Sequence, residues 1–254
     1  MRRETRGRDT SLHDEQPGDC PKNRGERFLG NRNMSEINRA DALRYMGFRG
    51  LETVDERTSA LVDECEKKLL EAAKPRFVSR VFDIFRNGEQ LFLGENGVDL
   101  LGEDIKNHLN NCEKAAVVCS TLSADTDKFL KKQELSDALT GLISDALASA
   151  YAETVSENAL SELLGQMAGY NATWIFAAGY GDFPLSQVSE LLSLVDAGRK
   201  IGVTCLASGM LTPCKTIVGV AGLSEKPLSI AEKSCASCQM RGKCEFRKSG
   251  KKCG

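Results

Sequence analysis

Hydrophobic side chains recur along this chain at two different periods, so the pattern predicts both helices and strands. Segment 55–73 carries its apolar residues at helical spacing and is followed by a proline. Segment 76–85 alternates like a strand, and an Asn-Gly turn leads from it to a second strand at 90–93. The β-branched run 114–122 predicts a central strand. Because no strict strand–helix–strand rhythm connects these elements, the pattern favours an α+β fold with a mixed or antiparallel central sheet flanked by helices.

The longest helical pattern spans 135–167. Its small residues predict close packing against a sheet, along an apolar stripe formed by Leu135, Leu139, Leu142, Ala146, Ala150 and Val155. Beyond this helix, the apolar run 173–178 predicts a short strand and 185–197 predicts a helix. Two further strands are expected at 201–207 and 216–221.

Charge divides the chain into three parts. Residues 1–33 are polar and rich in Arg, Asp and Gly, so a disordered N-terminal arm is expected there. Because Met34 directly precedes the first patterned segment, one hypothesis is that the native protein begins at that residue. The body, 34–225, has eighteen Lys and Arg against twenty-eight Asp and Glu, whereas the tail, 226–254, has eight against two. An acidic folded domain with a basic tail is therefore predicted.

Composition places the chain among ordinary globular proteins. It has 254 residues, of which 41% are hydrophobic, so a sizeable core can form. No apolar run approaches the roughly 18 residues of a membrane span, and no signal-peptide pattern opens the sequence. Four of the ten cysteines, Cys65, Cys112, Cys119 and Cys205, stand singly within apolar segments, as reduced core residues do. A cytoplasmic location away from membranes is the expectation.

The tail carries a metal-site pattern. Cys235, Cys238, Cys244 and Cys253 follow CxxC spacing and two longer intervals, and four thiolates suit zinc or an iron–sulfur cluster. Disulfides or free thiols are the alternative. Lysines and arginines around these cysteines would stabilise thiolates and offer a surface to an acidic electron donor such as flavodoxin or ferredoxin. Nucleic acid is not expected, because aromatic residues are few and the body is acidic.

A glycine turn between a predicted strand and a predicted helix is the candidate ligand site. Gly179-Tyr180-Gly181 ends the strand, and Asp182 and Pro184 open the helix. Backbone amides and the helix dipole favour small ligands at such a turn. The alternative is a tight connection that binds nothing. No Ser-His-Asp triad, paired carboxylates or P-loop occurs, and His13 and His108 have no partner at catalytic or metal spacing.

Four segments resemble the activation (reactivation) domain of cobalamin-dependent methionine synthase. Gly179-Tyr-Gly-Asp-Phe-Pro184 resembles the ligand loop, most closely in the stand-alone proteins of that family. Segment 44–50 resembles its N-terminal motif, 145–153 its long helix, and 201–215 the stretch after the loop. Together the likeness covers about residues 37–250, and it implies the activation-domain fold.

The resemblance also implies a binding site for S-adenosylmethionine. The residues that it assigns to this ligand are Glu153, Ala177, Gly179, Tyr180, Gly181, Asp182 and Lys215. Two positions depart from the family: Ile175 stands where an arginine usually holds the ligand carboxylate, and Ser123 stands where a glycine is more usual. Lys215 is the candidate substitute for the arginine.

The implied function is reactivation of a methionine synthase whose cobalamin has oxidised to cob(II)alamin. The chain would position S-adenosylmethionine for reductive methylation of the partner's cobalamin, as the activation component of a methyltransferase rather than a complete enzyme. An alternative follows from Ile175: an accessory or electron-delivery protein for another corrinoid methyltransferase, without S-adenosylmethionine. A Rossmann-type methyltransferase is the third interpretation, and the missing third glycine ranks it last.

Overall fold

The fold is built around one antiparallel sheet. A computed structural model describes residues 27–30, 36–48, 54–95 and 97–228. The strands in these ranges are β1 Arg27–Gly30, β2 Arg76–Asn87, β3 Gln90–Leu93, β4 Val98–Asp99, β5 Lys114–Thr121, β6 Asn171–Ala172, β7 Phe176–Ala177, β8 Thr204–Cys205, β9 Leu211–Thr212 and β10 Thr216–Ser224. Eight of them form one sheet with the order β4-β3-β2-β5-β10-β6, with β1 beside β2 and β7 beside β10, and β8 and β9 form a separate hairpin. Every ladder is antiparallel, which confirms the α+β prediction.

Helices cover both faces of this sheet. They are α1 Arg39–Tyr45, α2 Glu56–Ala72, α3 Glu103–His108, α4 Ala124–Ser136, α5 Ala138–Gln166, α6 Val188–Val195 and α7 Ala197–Ile201, with a 3-10 turn at Leu185–Gln187 before α6. Helix α5 packs across β2, β5 and β10 on one face, and α1, α2 and α4 pack against α5. Helices α6 and α7 cover the opposite face.

The central strands are apolar on both sides because both of their faces are covered. Along β5, Ala116 and Val118 point to the α5 side, whereas Val117 and Cys119 belong to the core on the α6 side. This alternation is the two-residue period of a strand, with apolar residues in both registers. The β5 prediction is confirmed, and so is the hairpin at Asn87-Gly88, because β2 pairs with β3 in register from Asn87 to Gln90.

The helical prediction for 135–167 is right in type but wrong in extent and in part of its buried stripe. Asp137 is extended, ends α4 and caps α5 by accepting a hydrogen bond from the amide of Thr140 at 2.8 Å. The first half of the predicted stripe lies beyond the reach of the sheet and is exposed, at Leu135 (77%), Leu139 (50%) and Leu142 (53%). Only from Ile143 onward does α5 pack, and there Ala146, Ala150 and Val155 are buried as predicted.

Other boundaries also differ from the sequence-based expectation. Residues Arg27–Gly30 form β1, although disorder is predicted for 1–33. They pair with the first half of β2, whereas β3 pairs with its second half, so β1 covers an edge that would otherwise be unpaired. This strand lies before Met34, and the rest of 1–33 and most of the tail lie outside the described residues. The predicted strand 201–207 is reduced to β8, because α7 extends to Ile201. The strand predicted at 173–178 is the two-residue β7.

Candidate functional site

One cleft of ≈ 660 Å³ lies between α5, the start of β10, the β8–β9 hairpin and the glycine loop. Its apolar lining includes Trp174, Leu185 and Met210. Helix α5 contributes polar side chains, among them Glu153 and Glu157, and the loops contribute Tyr180 and Lys215. Four of the seven predicted ligand residues line this cleft: Glu153, Ala177, Tyr180 and Lys215. Gly179, Gly181 and Asp182 are not among the lining residues, although they belong to the same loop. The cleft therefore brings residues from distant parts of the chain together at the predicted place.

Glu153 and Glu157 give the α5 wall of the cleft its negative charge. They lie one helical turn apart and both line the cleft. Tyr45, at the end of α1, donates a hydrogen bond from its hydroxyl to Glu153 Oε1 at 2.5 Å. Burial and this carboxylate raise the pKa of Tyr45, so the phenol keeps its proton and fixes the carboxylate. Tyr45 lies in the 44–50 motif, but nothing in the sequence pattern shows that it contacts Glu153.

Lys215 is the only Lys or Arg among the described residues that line the cleft. Its Nζ lies 2.8 Å from Asp145 Oδ1 and donates to Ser149 Oγ at 2.8 Å. The side chain is largely buried, with 16% of its area exposed. Because its charge is already compensated by Asp145, Lys215 is a weaker partner for a ligand carboxylate than the sequence analysis expects.

The amides of the glycine loop are engaged within the protein. The amide of Gly179 donates to the carbonyl of Phe183 at 2.7 Å, and the amide of Tyr180 donates to the carbonyl of Ala177 at 3.1 Å. The amide of Asp182 donates to Asp104 Oδ2 at 3.2 Å. These bonds fold the loop tightly, so the expected supply of loop amides for a ligand is not available at these three residues.

Gly181 and Asp182 face α3. The Asp182 carboxylate accepts hydrogen bonds from the amides of Glu103 at 2.7 Å and Asp104 at 2.9 Å, at the start of that helix. These two amides lower the pKa of Asp182. A Cβ on Gly181 would lie 2.2 Å from Asp104 Oδ2, and the residue has φ +55°, so only glycine fits there. The loop glycines thus serve close packing.

Tyr180 presents its ring to the cleft, with 57% of the residue exposed. It forms edge-to-face contacts with Trp174 and Phe176, at ring-centroid distances of 6.4 and 6.2 Å. His108 lies beneath them, 4.6 Å from the Trp174 ring, and its Nε2 is 2.8 Å from the carbonyl of Trp174. Burial lowers the pKa of His108. The sequence shows His108 as isolated because its partners are more than sixty residues away.

Two further lining residues bear on ligand chemistry. Ile175 is half-buried and lines the cleft, so an apolar side chain stands where the resemblance expects an arginine. Ser156, on α5, is buried, and its hydroxyl has no hydrogen-bond partner among the described residues. A buried hydroxyl without a partner is unfavourable, so a ligand atom at this wall would satisfy it.

The predicted metal site lies in the tail, and a membrane span is not predicted anywhere in the sequence. Cys235, Cys238, Cys244 and Cys253 lie outside the described residues, so the tail metal site stays a prediction from the sequence. Within 27–30, 36–48, 54–95 and 97–228, no group of three or more His, Cys, Asp or Glu side chains is placed to hold a metal ion. None of the helices described there has both the length and the apolar character that crossing a bilayer requires.

Comparison with solved structures identifies the same architecture elsewhere. A crystal structure of the MetH reactivation domain bound to AdoHcy superimposes with a TM-score of 0.57 at 14% sequence identity. The match covers 89% of this chain and 86% of that chain. No protein-family model and no curated protein sequence matches this chain. The chain therefore has the fold of that reactivation domain.

Proposed function

We propose that this protein binds S-adenosylmethionine in the cleft and reactivates a cobalamin-dependent methionine synthase. The observation that carries the proposal is the conjunction of fold and cleft: the chain has the architecture of a domain known with AdoHcy bound, and Glu153, Tyr180 and Lys215 line one cavity. AdoHcy is the product that S-adenosylmethionine leaves when its methyl group is transferred. The proposed partner is a corrinoid protein that carries the cobalamin.

The cleft fits this ligand in size and in charge. Its volume of ≈ 660 Å³ lies within the range of about 300–1,000 Å³ that is typical of small-molecule sites. Glu153 and Glu157 give one wall negative charge, and the ligand carries a sulfonium and an ammonium group. The apolar side chains of Trp174, Leu185 and Met210 suit the flat adenine ring.

Each residue has a defined task in this proposal. S-adenosylmethionine, when bound, supplies the methyl group for the partner's reduced cobalt. Glu153, held by Tyr45, binds the ligand's ammonium group. Tyr180, exposed beside Trp174, packs on the ligand and excludes water from the cleft. Since the chain's contribution is to hold the donor in place, the proposed reaction needs no general base from it.

A reactivation assay tests the proposal. A methionine synthase lacking its own activation domain is prepared with oxidised cobalamin and mixed with reductant, methyl-labelled S-adenosylmethionine and this protein. We expect label on the partner's cobalamin only when this protein is present, with the matching change in the visible spectrum. The absence of label, with a competent partner verified by an established reactivation domain, would overturn the proposal.

Ile175 and Lys215 favour one alternative, namely an accessory protein for another corrinoid methyltransferase that does not use S-adenosylmethionine. The only described lysine of the cleft is compensated by Asp145, so a ligand carboxylate has no dedicated cation. This alternative predicts binding to a corrinoid protein in a pull-down with the purified components, and no binding of S-adenosylmethionine. The two functions are therefore separated by a ligand-binding measurement alone.

A further inference from the structure

The segment Asp99–His108, which contains α3, is fastened at three places to the segment that forms the site, 173–187. At its start, the Gln187 side chain donates to the carbonyl of Asp99 at 2.6 Å and accepts from the amide of Leu101 at 2.8 Å. Gln187 is buried, with 3% of its area exposed. This first attachment connects the 3-10 turn after the glycine loop to the approach of α3.

The second attachment is reciprocal and lies at the first turn of α3. Asp182 accepts from the amides of Glu103 and Asp104, while Asp104 Oδ2 accepts from the amide of Asp182. Each aspartate thus satisfies backbone donors of the other segment, as the two residues of a capping box do within one helix. Glycine is required on both sides, because a Cβ on Gly102 would lie 2.7 Å from Asp182 Oδ1 and one on Gly181 would lie 2.2 Å from Asp104 Oδ2.

The third attachment lies at the last residue of α3. His108 Nε2 lies 2.8 Å from the carbonyl of Trp174 and 2.7 Å from Thr173 Oγ1. Thr173 Oγ1 also accepts from the amide of Gly222 at 2.8 Å, so this attachment continues into β10, the strand that lines the cleft at its other end. The residues between the second and third attachments include Tyr180, which is exposed to the cleft and whose ring contacts Trp174 and Phe176.

We propose that α3 is a brace that holds the glycine loop, and hence Tyr180, in position at the cleft, with Asp182 and His108 as its two positioning residues. As a statement about ligand binding this rests on the proposed function. Neither residue lines the cleft, so both act through the loop. In the Gly-Tyr-Gly-Asp motif, Tyr180 then faces the ligand, and Gly181 and Asp182 attach the loop to α3. Gly179 packs against Leu185, whose Cδ2 would lie 2.9 Å from an added Cβ.

The test compares two aspartates whose carboxylates accept hydrogen bonds from backbone amides in the first turn of a helix, one within its own helix and one across the fold. Asp55 accepts from the amide of Thr58 at 3.0 Å at the start of α2 and does not line the cleft. Full-length Asp182→Ala, Asp182→Asn and Asp55→Ala are compared with the wild type. Amide hydrogen exchange over 176–183 and acrylamide quenching of Trp174, which is the only tryptophan of the chain, report the loop without any ligand. S-adenosylmethionine affinity is measured separately by calorimetry.

We expect Asp182→Ala to speed exchange over 176–183 by about two- to thirtyfold, the range expected for loss of a helix cap, and to increase quenching of Trp174. Asp182→Asn keeps one of the two acceptor oxygens, so it should give values between those of the wild type and Asp182→Ala, and Asp55→Ala should leave both measurements unchanged. His108→Phe, which keeps a ring but removes Nε2, should act like Asp182→Ala at the Trp174 end.

Equal loop exchange in Asp182→Ala and Asp55→Ala would overturn the brace. If the wild type binds no S-adenosylmethionine, the proposed function fails, but the ligand-free exchange still decides whether α3 holds the loop. If the wild type binds, a loss of affinity in Asp182→Ala that Asp182→Asn partly restores supports the brace, and an affinity unchanged in Asp182→Ala contradicts its role in binding.

Discussion

At the scale of single residues, two side chains of the cleft have opposite consequences for a charged ligand. Glu153 is oriented by a tyrosine from a helix more than one hundred residues earlier in the chain. Ile175 is apolar and lines the cleft where a ligand carboxylate would need a cation. In the proposed site, the first residue would bind the ammonium end of S-adenosylmethionine, and the second offers no charge to the carboxylate end.

Glu153→Gln should weaken S-adenosylmethionine binding by about tenfold or more, because it removes the charge from a charge-assisted hydrogen bond to the ligand. Tyr45→Phe should have a smaller effect in the same direction, since the carboxylate remains but loses its fixed orientation. Equilibrium dialysis with labelled ligand measures both. Glu64→Gln, in an exposed pair with Lys68 on α2, serves as the charge-matched control and should bind like the wild type. Wild-type affinity in Glu153→Gln would exclude this carboxylate from the site.

Ile175→Arg should strengthen S-adenosylmethionine binding by about ten- to a hundredfold, through a bidentate pair with the ligand carboxylate. The residue is half-buried at the cleft, from which a long arginine can extend its charged end. Decarboxylated S-adenosylmethionine is the control ligand, because it lacks the group that the arginine would bind. Equal gains for both ligands, or no gain for either, would contradict a carboxylate subsite at this position.

At the scale of elements, β10 packs closely against the turn between α3 and β5, on the side of the site segment away from the cleft. A Cβ on Gly222 would lie 2.3 Å from Cys112 Sγ and 3.0 Å from Leu109 Cδ2. The amide of Gly222 also donates to Thr173 Oγ1, at the third attachment of the brace. The end of β10 thus connects the sheet to the segment that carries the site.

Gly222→Ala should lower the free energy of unfolding by about 1–3 kcal/mol, because the added methyl group overpacks the core between β10 and Cys112. Gly165→Ala is the matched control: it lies in α5 with nothing within 4 Å of an added Cβ, so it should be neutral or slightly stabilising. Urea denaturation of the two variants measures the difference. Similar free energies of unfolding for both variants would show that Cys112 and Leu109 shift to accept the methyl group without cost.

Local signals in the sequence predict much of the sheet and the place of the site. The Asn87-Gly88 turn specifies its hairpin, and the run 114–122 specifies a central strand, because these features depend on neighbouring residues. The exposure of Leu135 and Leu139 could not be predicted, because periodicity marks a face but not where the sheet ends. Likewise, the glycine loop is visible in the sequence, whereas its attachment to Asp104 is not, because that contact spans 78 residues.

At the scale of the whole molecule, the half-buried His108 links stability to pH. Burial lowers the pKa of His108 below its ordinary value of 6.5, so the unfolded chain takes up a proton at a higher pH than the folded chain does. The contribution of His108 to the free energy of unfolding is therefore fully present above pH 6.5. It falls as the pH drops from 6.5 toward the lowered pKa of the folded state. Protonation would also place a charge beneath Trp174 and the glycine loop.

The wild type should lose up to about 1.4 kcal/mol of unfolding free energy per pH unit below pH 6.5 that His108→Phe does not lose. Guanidinium denaturation at pH 7.5, 6.5 and 5.5 gives the comparison, and the carboxylates that both proteins share cancel in the difference. Parallel pH profiles for the two proteins would show that His108 is not the titrating group.

The central claim is that the cleft between α5 and the glycine loop is an S-adenosylmethionine site, and a calorimetric titration of the full-length protein tests it most directly. We predict saturable binding with one ligand per chain, competition by S-adenosylhomocysteine, and binding weaker by about tenfold or more in Glu153→Gln. No binding by a wild type that unfolds cooperatively, or binding that Glu153→Gln and Asp182→Ala leave unchanged, would contradict the claim and favour the corrinoid accessory protein that does not use S-adenosylmethionine.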